Sequence, residues 1–245
     1  MPSKGLENAI KSELPDVEYR LCVKHLHANW SKRFPGKMMK DLMWKAARAA
    51  NVPYFEYRMQ RIKNVSVEAH EALNRIERKK WTRCAFRLEK NCPKLVNNWA
   101  EAFNVFIIKA RDQSIITMLN NIYHTIMNRI DKECQKKLRR KGVGYERIDE
   151  VLRKREEKIF DLFTRPSGSP RCEVTSAKHI FVIDIEKRQC SCGLWQLGRL
   201  PCVHSICVYK SRNKDLRQFI HKDYLKSTWL TIYSDFMEPL RGPVF

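Results

Sequence analysis

The sequence has no long apolar segment and relatively few acidic residues. No stretch approaches the roughly 20 apolar residues that a membrane-spanning helix requires, and the first residues lack the apolar segment of a secretion signal. We therefore expect a soluble protein that stays inside the cell and has no membrane partner. Asp and Glu number 27 against 48 Lys and Arg, a formal net charge of +21. Such a surplus of positive charge attracts polyanions, so we expect DNA as a partner and the nucleus as the location.

The cysteine content argues against a disulfide-stabilised secreted domain. The chain has nine cysteines, an odd number that cannot pair completely. In a reducing compartment cysteines are thiols or metal ligands. The 245 residues, 43% of them hydrophobic, suffice for one large domain or two small ones.

Apolar periodicity predicts a mainly helical first half. Residues 38–76 and 93–130 carry apolar residues at steps of three and four, as amphipathic helices do. Residues 17–23 instead alternate between apolar and polar residues, which predicts a strand. After residue 170 the pattern favours a β-hairpin, followed by a helix that starts near residue 204.

Two basic clusters follow the helical half, at residues 136–141 and 153–155. The candidate phosphate contacts are Lys136, Lys137, Arg139, Arg140, Lys141, Arg153, Lys154 and Arg155. Runs of this kind bind phosphate or direct nuclear import, but they also occur on solvated helix faces. The second cluster is predicted on a helix that continues to Phe163, and residues 165–170, rich in Pro, Gly and Ser, are predicted to be a linker.

The most informative motif is a set of three thiols and one imidazole. Cys190 and Cys192 form one x-spaced pair, and Cys202 and His204 form another after nine residues. A tetrahedral Zn²⁺ ion takes four such donors, and four protein ligands leave no open position for catalysis. We therefore predict one structural zinc ion, with metal binding coupled to folding. Cys207 is the nearest rival ligand and is predicted to lie in the core.

Two glycines lie between the ligand pairs, and both are expected to help the intervening loop to turn. These are Gly193 and Gly198. The predicted fold class is mainly α, with a small ββα zinc-binding module. We divide the chain into a largely helical region at 1–130, a basic helical connector at 131–165, and the zinc module with its tail at 166–245. The core of the module is expected at about 172–210.

The spacing of the four ligands, with Trp195, Gly198 and Pro201 between them, resembles the SWIM zinc finger. Upstream segments resemble the C-terminal part of plant Mutator-like transposases. The matching segments are residues 19–29, 41–48, 97–104 and 110–119, together with parts of the tail at 219–243. The resemblance implies that the helical region is the remnant of an RNase H-like core with a helical insertion.

Transposases of that family cut DNA with three carboxylates that hold two divalent metal ions. The resemblance maps the third carboxylate onto Glu101 and a C-x-x-H element onto Cys22 and His25. The second aspartate would lie about three residues before Lys4, and the first would lie further upstream. Because one carboxylate cannot hold two metal ions, we expect no catalytic residue to operate here and no DNA cleavage by this chain.

The sequence thus favours a zinc-binding, SWIM-type protein that derives from a Mutator-like transposase, binds DNA and is catalytically inactive. Two alternatives stay open. The chain could be a truncated form of an active transposase, or a domesticated regulator that uses the finger for contact with a protein partner.

Overall fold

The computed structural model describes residues 4–90, 92–139, 146–167, 170–177, 179–234 and 237–239. The helices are α1 (Lys4–Glu13), α2 (Val23–Trp30), α3 (Lys37–Ala47), α4 (Val52–Val65), α5 (Val67–Asn74), α6 (Asn98–Arg111), α7 (Ile115–Leu138), α8 (Glu146–Glu156), α9 (Leu194–Gly198), α10 (Val203–Ser211) and α11 (Lys226–Ile232). The strands are β1 (Phe163–Pro166), β2 (Arg171–Ser176), β3 (His179–Asp184) and β4 (Gln189–Cys190). The chain is mostly helical and has one four-stranded antiparallel sheet, in the order β1-β2-β3-β4. A mainly α protein with a small β module was expected.

The chain divides into two compact units. The first unit contains Met1–Asn97 and Ile159–Lys214, which bring the N-terminal helices and the sheet together. The second contains Asn98–Lys158 and Asp215–Phe245. In the described part of the chain, no helix combines the length and the apolar character that crossing a bilayer requires.

The N-terminal helices of the first unit surround one apolar core. The predicted stripes on α3 and α4 are buried, including Leu42, Ala46, Phe55 and Ile62. Trp81 is 1% exposed and packs edge-on against Phe55, as a residue anchored between helices does.

Side-chain caps fix where two of these helices begin. The Asn51 side chain accepts a hydrogen bond from the backbone N–H of Tyr54 at 2.9 Å, and Pro53 lies in the first turn of α4. Ser66 Oγ accepts from the backbone N–H of Ala69 at 3.1 Å at the start of α5. Both bonds satisfy N–H groups that a helix start would otherwise leave without a partner.

The rest of the first unit is the sheet module, which consists of β1 to β4, α9 and α10. The predicted hairpin forms from β2 and β3, and Val174 and Ile183 on its inner face are fully buried. The predicted helix near residue 204 is α10, whose Ile206 and Val208 are buried.

The second unit contains the predicted helical pair. It forms as α6 and α7, separated by a turn at residues 112–114. The helix α7 runs on to Leu138, so it includes the start of the first basic cluster. Ile148 and Leu152 form the buried side of α8.

Two predictions from periodicity are wrong. The strand predicted at residues 17–23 does not form: Val23 begins α2, and none of the described strands lies beside residues 17–22. The backbone of this segment instead makes isolated hydrogen bonds, such as the one from the Leu21 N–H to the carbonyl oxygen of Lys80 at 2.7 Å. The helix α8 ends at Glu156, so Phe163 does not extend its apolar face but begins strand β1. The first residues of the predicted linker, Arg165 and Pro166, belong to that strand.

Candidate metal centre

Three short elements bring the four predicted ligands together. Cys190 ends β4, and Cys192 follows in the turn before α9. Cys202 is the N-cap residue of α10, and His204 lies in the first turn of that helix. Their potential ligand atoms all lie within 4.8 Å of one another. The end of β4 and the start of α10 therefore bring the four ligand atoms to one point.

The distances fit a tetrahedral zinc site. Nδ1 of His204 lies 3.6 Å from Sγ of Cys190 and 3.9 Å from Sγ of Cys202. Zn–S bonds of about 2.3 Å and Zn–N bonds of about 2.0 Å place tetrahedral ligands about 3.5–3.8 Å apart. The three cysteines are at most 7% exposed. The donors therefore suit Zn²⁺ in number, type and spacing, with Nδ1 as the ligand atom of the histidine.

The protonation of the thiols also favours a cation at this point. Hydrogen bonds from the thiols of Cys190 and Cys192 lower the pKa of Cys202. Hydrogen bonding to its two neighbours and burial raise the pKa of Cys190. The hydrogen bond with Cys190 lowers the pKa of Cys192, but the bond with Cys202 and burial outweigh it and raise that pKa to about 12. Without a metal, one thiol of the cluster loses its proton readily and the other two resist deprotonation. A divalent cation, in contrast, stabilises all three as thiolates.

Residues 174–213 match the family model of the SWIM zinc finger. The chain therefore contains a SWIM zinc finger, whose Cys190, Cys192, Cys202 and His204 are positioned to bind one zinc ion. Searches of the curated proteins and of the solved structures gave no match.

Polar neighbours hold the finger's ligands in place. The Gln196 side chain accepts from the backbone N–H of Cys190 at 3.2 Å and donates to its carbonyl oxygen at 3.0 Å. Ser205 Oγ donates to the carbonyl oxygen of Cys202 at 3.0 Å and lies 3.5 Å from its sulfur. Such contacts orient ligands and tune their affinity for the metal.

The histidine ligand is held by an aromatic ring. Phe181 on β3 stacks on the imidazole of His204, with ring centroids 3.7 Å apart and an angle of 20° between the planes. The ring restricts the rotation of the imidazole and leaves Nδ1 facing the thiols. Sequence reasoning missed Gln196, Ser205 and Phe181 as functional residues, because none belongs to the ligand motif.

The turn after Cys192 packs directly against the N-terminal helices. Gly193 has φ +80°, and a Cβ atom added to it would lie 2.0 Å from the carbonyl oxygen of Ala50. The Asn51 amide donates to the carbonyl oxygens of Ser191 at 3.2 Å and Cys192 at 3.4 Å. Asn51 therefore connects the N-terminus of α4 to the backbone between two zinc ligands.

The second glycine of the loop is the last residue of α9. Gly198 does not have a positive φ, and a Cβ atom added there would contact nothing within 4 Å. The left-handed residue at the end of α9 is Arg199, with φ +49°. Cys207 is buried, as predicted, and its thiol lies 3.5 Å from the carbonyl oxygen of Leu162.

The predicted phosphate contacts lie in the second unit. Lys136 and Lys137 are in α7, and Arg140 and Lys141 lie outside the described residues. Arg139 lines an open pocket with Lys132, Lys136 and Asp131. These residues remain predicted nucleic-acid contacts.

Part of the second cluster forms ion pairs within its own helical segment. Arg153 pairs with Glu157, and Lys154 pairs with Glu150 at 2.5 Å. Arg155 is half-buried near the end of α8. These pairs are typical of a solvated helix face, which was the alternative interpretation of this cluster.

The residues matched to the transposase active site belong to helices α2 and α6. Glu101 is in the first turn of α6. Cys22 is the N-cap residue of α2, with its sulfur 3.4 Å from the backbone nitrogen of Asn97, and His25 lies within α2. Their roles remain those that the resemblance implies.

Proposed function

We propose that this chain is a zinc-binding SWIM-type protein that derives from a Mutator-like transposase, binds DNA in the nucleus and does not cut it. The resemblance of residues 19–29, 41–48 and 97–104 to that family supports the ancestry, including an RNase H-like remnant. The SWIM zinc finger supplies the metal-binding part.

The observation that carries DNA binding is the positive charge of the helices against which the finger packs. The cationic residues of α3 and α4 are Lys37, Lys40, Lys45, Arg58, Arg61 and Lys63. Their acidic residues are Asp41 and Glu56, and Glu56 pairs with Arg78 at 2.9 Å. Six cations against two carboxylates give a surface that attracts phosphates, in keeping with the net charge of +21.

Fluorescence anisotropy with labelled DNA tests this proposal. The zinc-loaded chain should bind, and the logarithm of its association constant should fall linearly with the logarithm of the salt concentration, because bound phosphates release counterions. A chain that fails to bind DNA at low salt would refute the proposal. A fluorescent fusion of the chain, imaged in cells, tests the nuclear location.

The proposed lack of cleavage rests on the requirement for three carboxylates, of which the family resemblance maps only Glu101 onto this chain. Incubation of the purified chain with Mg²⁺ or Mn²⁺ and terminal-repeat DNA should leave the DNA intact. Nicking that disappears in Glu101→Gln would show that the chain is an active nuclease.

One observation favours the alternative of a protein-binding finger. The outer face of the sheet carries Phe163, Ile180 and Val182, which are 70%, 63% and 49% exposed. Phe163 and Ile180 both align with Thr175 in the strand register, so these side chains share one face. Exposed apolar patches often bind proteins. If Ile180→Ser abolishes the co-purification of a protein partner while the affinity for DNA is unchanged, the finger binds that protein through this face.

A further inference from the structure

The exposed side of α4 carries two tyrosines and two arginines. Tyr54, Tyr57, Arg58 and Arg61 recur at steps of three and four, so they lie on one side of the helix. Tyr54 is 43% exposed and Tyr57 is 53% exposed. The buried side of the same helix already carries Phe55, Met59 and Ile62, so the tyrosines are not required by the core.

The two rings are held apart and fixed by one arginine. The ring centroids of Tyr54 and Tyr57 are 6.5 Å apart. The guanidinium carbon of Arg58 lies 4.5 Å from the first centroid and 5.2 Å from the second, and the guanidinium donates to the hydroxyl of Tyr54. The rings therefore form a pre-ordered pair, which lowers the entropy lost when a ligand stacks on them.

A cationic pocket shares Arg61 with this side of α4. Arg61 lines it from α4, and Lys37 and Lys45 line it from α3, with Asp41 among them. Within the described residues, no ion pair engages the three cations. Three positive charges against one carboxylate favour an anion, and Arg61 belongs to both the pocket and the side that carries the tyrosines.

We propose that this α3–α4 surface, formed by Lys37, Lys45, Tyr54, Tyr57, Arg58 and Arg61, binds single-stranded nucleic acid. Bases stack on Tyr54 and Tyr57, and the backbone phosphates lie along Lys37, Lys45 and Arg61. Exposed rings beside cations are how single strands are bound without sequence readout, because every base has a π-face. In a duplex the base faces are already stacked, so a duplex can use only the cations.

The inference rests on the proposed nucleic-acid function and deepens it. The zinc finger contacts the helix that carries this surface. Asn51 caps α4 at Tyr54 while its amide donates to the carbonyl oxygens of Ser191 and Cys192. Metal binding therefore stabilises the end of the helix that carries the first tyrosine.

The experiment measures anisotropy of a fluorescein-labelled 20-nucleotide oligothymidine and of a 20-base-pair duplex with the zinc-loaded full chain. Tyr54→Leu and Tyr57→Leu should each weaken binding of the single strand by about 5- to 150-fold, the range expected for loss of one stacked base. Tyr54→Phe and Tyr57→Phe keep a ring and should bind within about twofold of the native chain. The duplex should be insensitive to all four changes.

Charge variants test the pocket separately. The slope of the logarithm of the association constant against the logarithm of the salt concentration measures phosphate contacts. Arg61→Gln and Lys45→Gln should each reduce the magnitude of this slope by about 0.7, the contribution of one phosphate contact on a single strand. The matched control is Lys187→Gln, an exposed cation in the turn between β3 and β4, which lies outside the α3–α4 surface and should leave this slope unchanged. Circular dichroism and zinc content verify that each variant is folded.

The outcomes separate the two proposals. If the native chain binds neither the single strand nor the duplex at low salt, both proposals fail. If it binds nucleic acid but the leucine variants bind the single strand as well as the native chain does, the α3–α4 surface is not the binding site. Preference for the duplex would likewise overturn the single-strand inference and leave DNA binding intact.

Discussion

Replacement of Gly193 by alanine should disrupt the contact between the zinc finger and the N-terminal helices. The residue has φ +80°, and alanine in the left-handed region costs about 1–2 kcal/mol. The added Cβ atom would also lie 2.0 Å from the Ala50 carbonyl oxygen and 2.7 Å from its carbon. Both are backbone atoms that cannot rotate away, so the turn must shift, and overpacking of this kind costs about 1–3 kcal/mol.

The two terms together predict that Gly193→Ala lowers the free energy of unfolding by about 2–5 kcal/mol. The shift would also lengthen the hydrogen bonds from Asn51 and withdraw Leu197 from the core that it shares with the N-terminal helices. Urea unfolding of the zinc-loaded chain, followed by tryptophan fluorescence, measures this change. Trp195 and Trp81, both 1% exposed, report on the finger and on the helices.

Gly198→Ala is the matched control. It lies in the same loop, has no positive φ, and its added Cβ atom would contact nothing within 4 Å. We expect its free energy of unfolding to stay within about 0.5 kcal/mol of that of the native chain. Equal stability of the two variants would refute the claim that the finger packs on Ala50 through Gly193.

Three further changes test the metal centre and its contacts. Gln196→Ala removes both hydrogen bonds to Cys190 and should weaken zinc binding by about 10- to 100-fold in a chelator competition; unchanged affinity would contradict its role. Phe181→Ala removes the ring stacked on His204 and should weaken zinc binding while Phe181→Tyr keeps it, as the same competition would measure. Because protons compete with Zn²⁺ for thiolates and imidazole, acidification should release the metal, and zinc that stays bound at pH 4 in a dye-release assay would argue against this ligand set.

The zinc ligands could be predicted from the sequence because all four lie within fifteen residues. Their chemistry is specific and their spacing is local, so no long-range information is needed to bring Cys190 and His204 together. The hairpin of β2 and β3 was predictable for a similar reason, since alternation over a short segment selects a half-buried strand next to its partner.

Strand β1 could not be predicted from the sequence, because its extended conformation depends on pairing with β2. Arg165 and Pro166 begin a segment whose composition is typical of a linker, yet β1 pairs with β2 at the edge of the sheet. Proline is tolerated at an edge because that position does not require its missing N–H. Residues 17–23 show the reverse case, since their alternation is genuine but no strand of the described structure lies beside them.

The contact between the metal centre and the N-terminal helices could not be predicted from the sequence either. Asn51 and Ser191 are 140 residues apart in the sequence, and nothing near either residue signals the other. Gly193 was predicted to allow a turn, and it does, but the approach of Ala50 became visible only in the folded chain. The exposed rings of Tyr54 and Tyr57 likewise stand out only when the buried side of α4 is known.

The zinc content of the purified chain tests the central claim most directly. Elemental analysis by mass spectrometry should find about one zinc ion per native chain, because four protein donors complete one tetrahedral site. The Cys202→Ser variant, which removes one buried thiol, should lose most of the metal. A native chain without zinc, or a Cys202→Ser chain that keeps a full equivalent, would contradict the assignment of Cys190, Cys192, Cys202 and His204 as the zinc ligands.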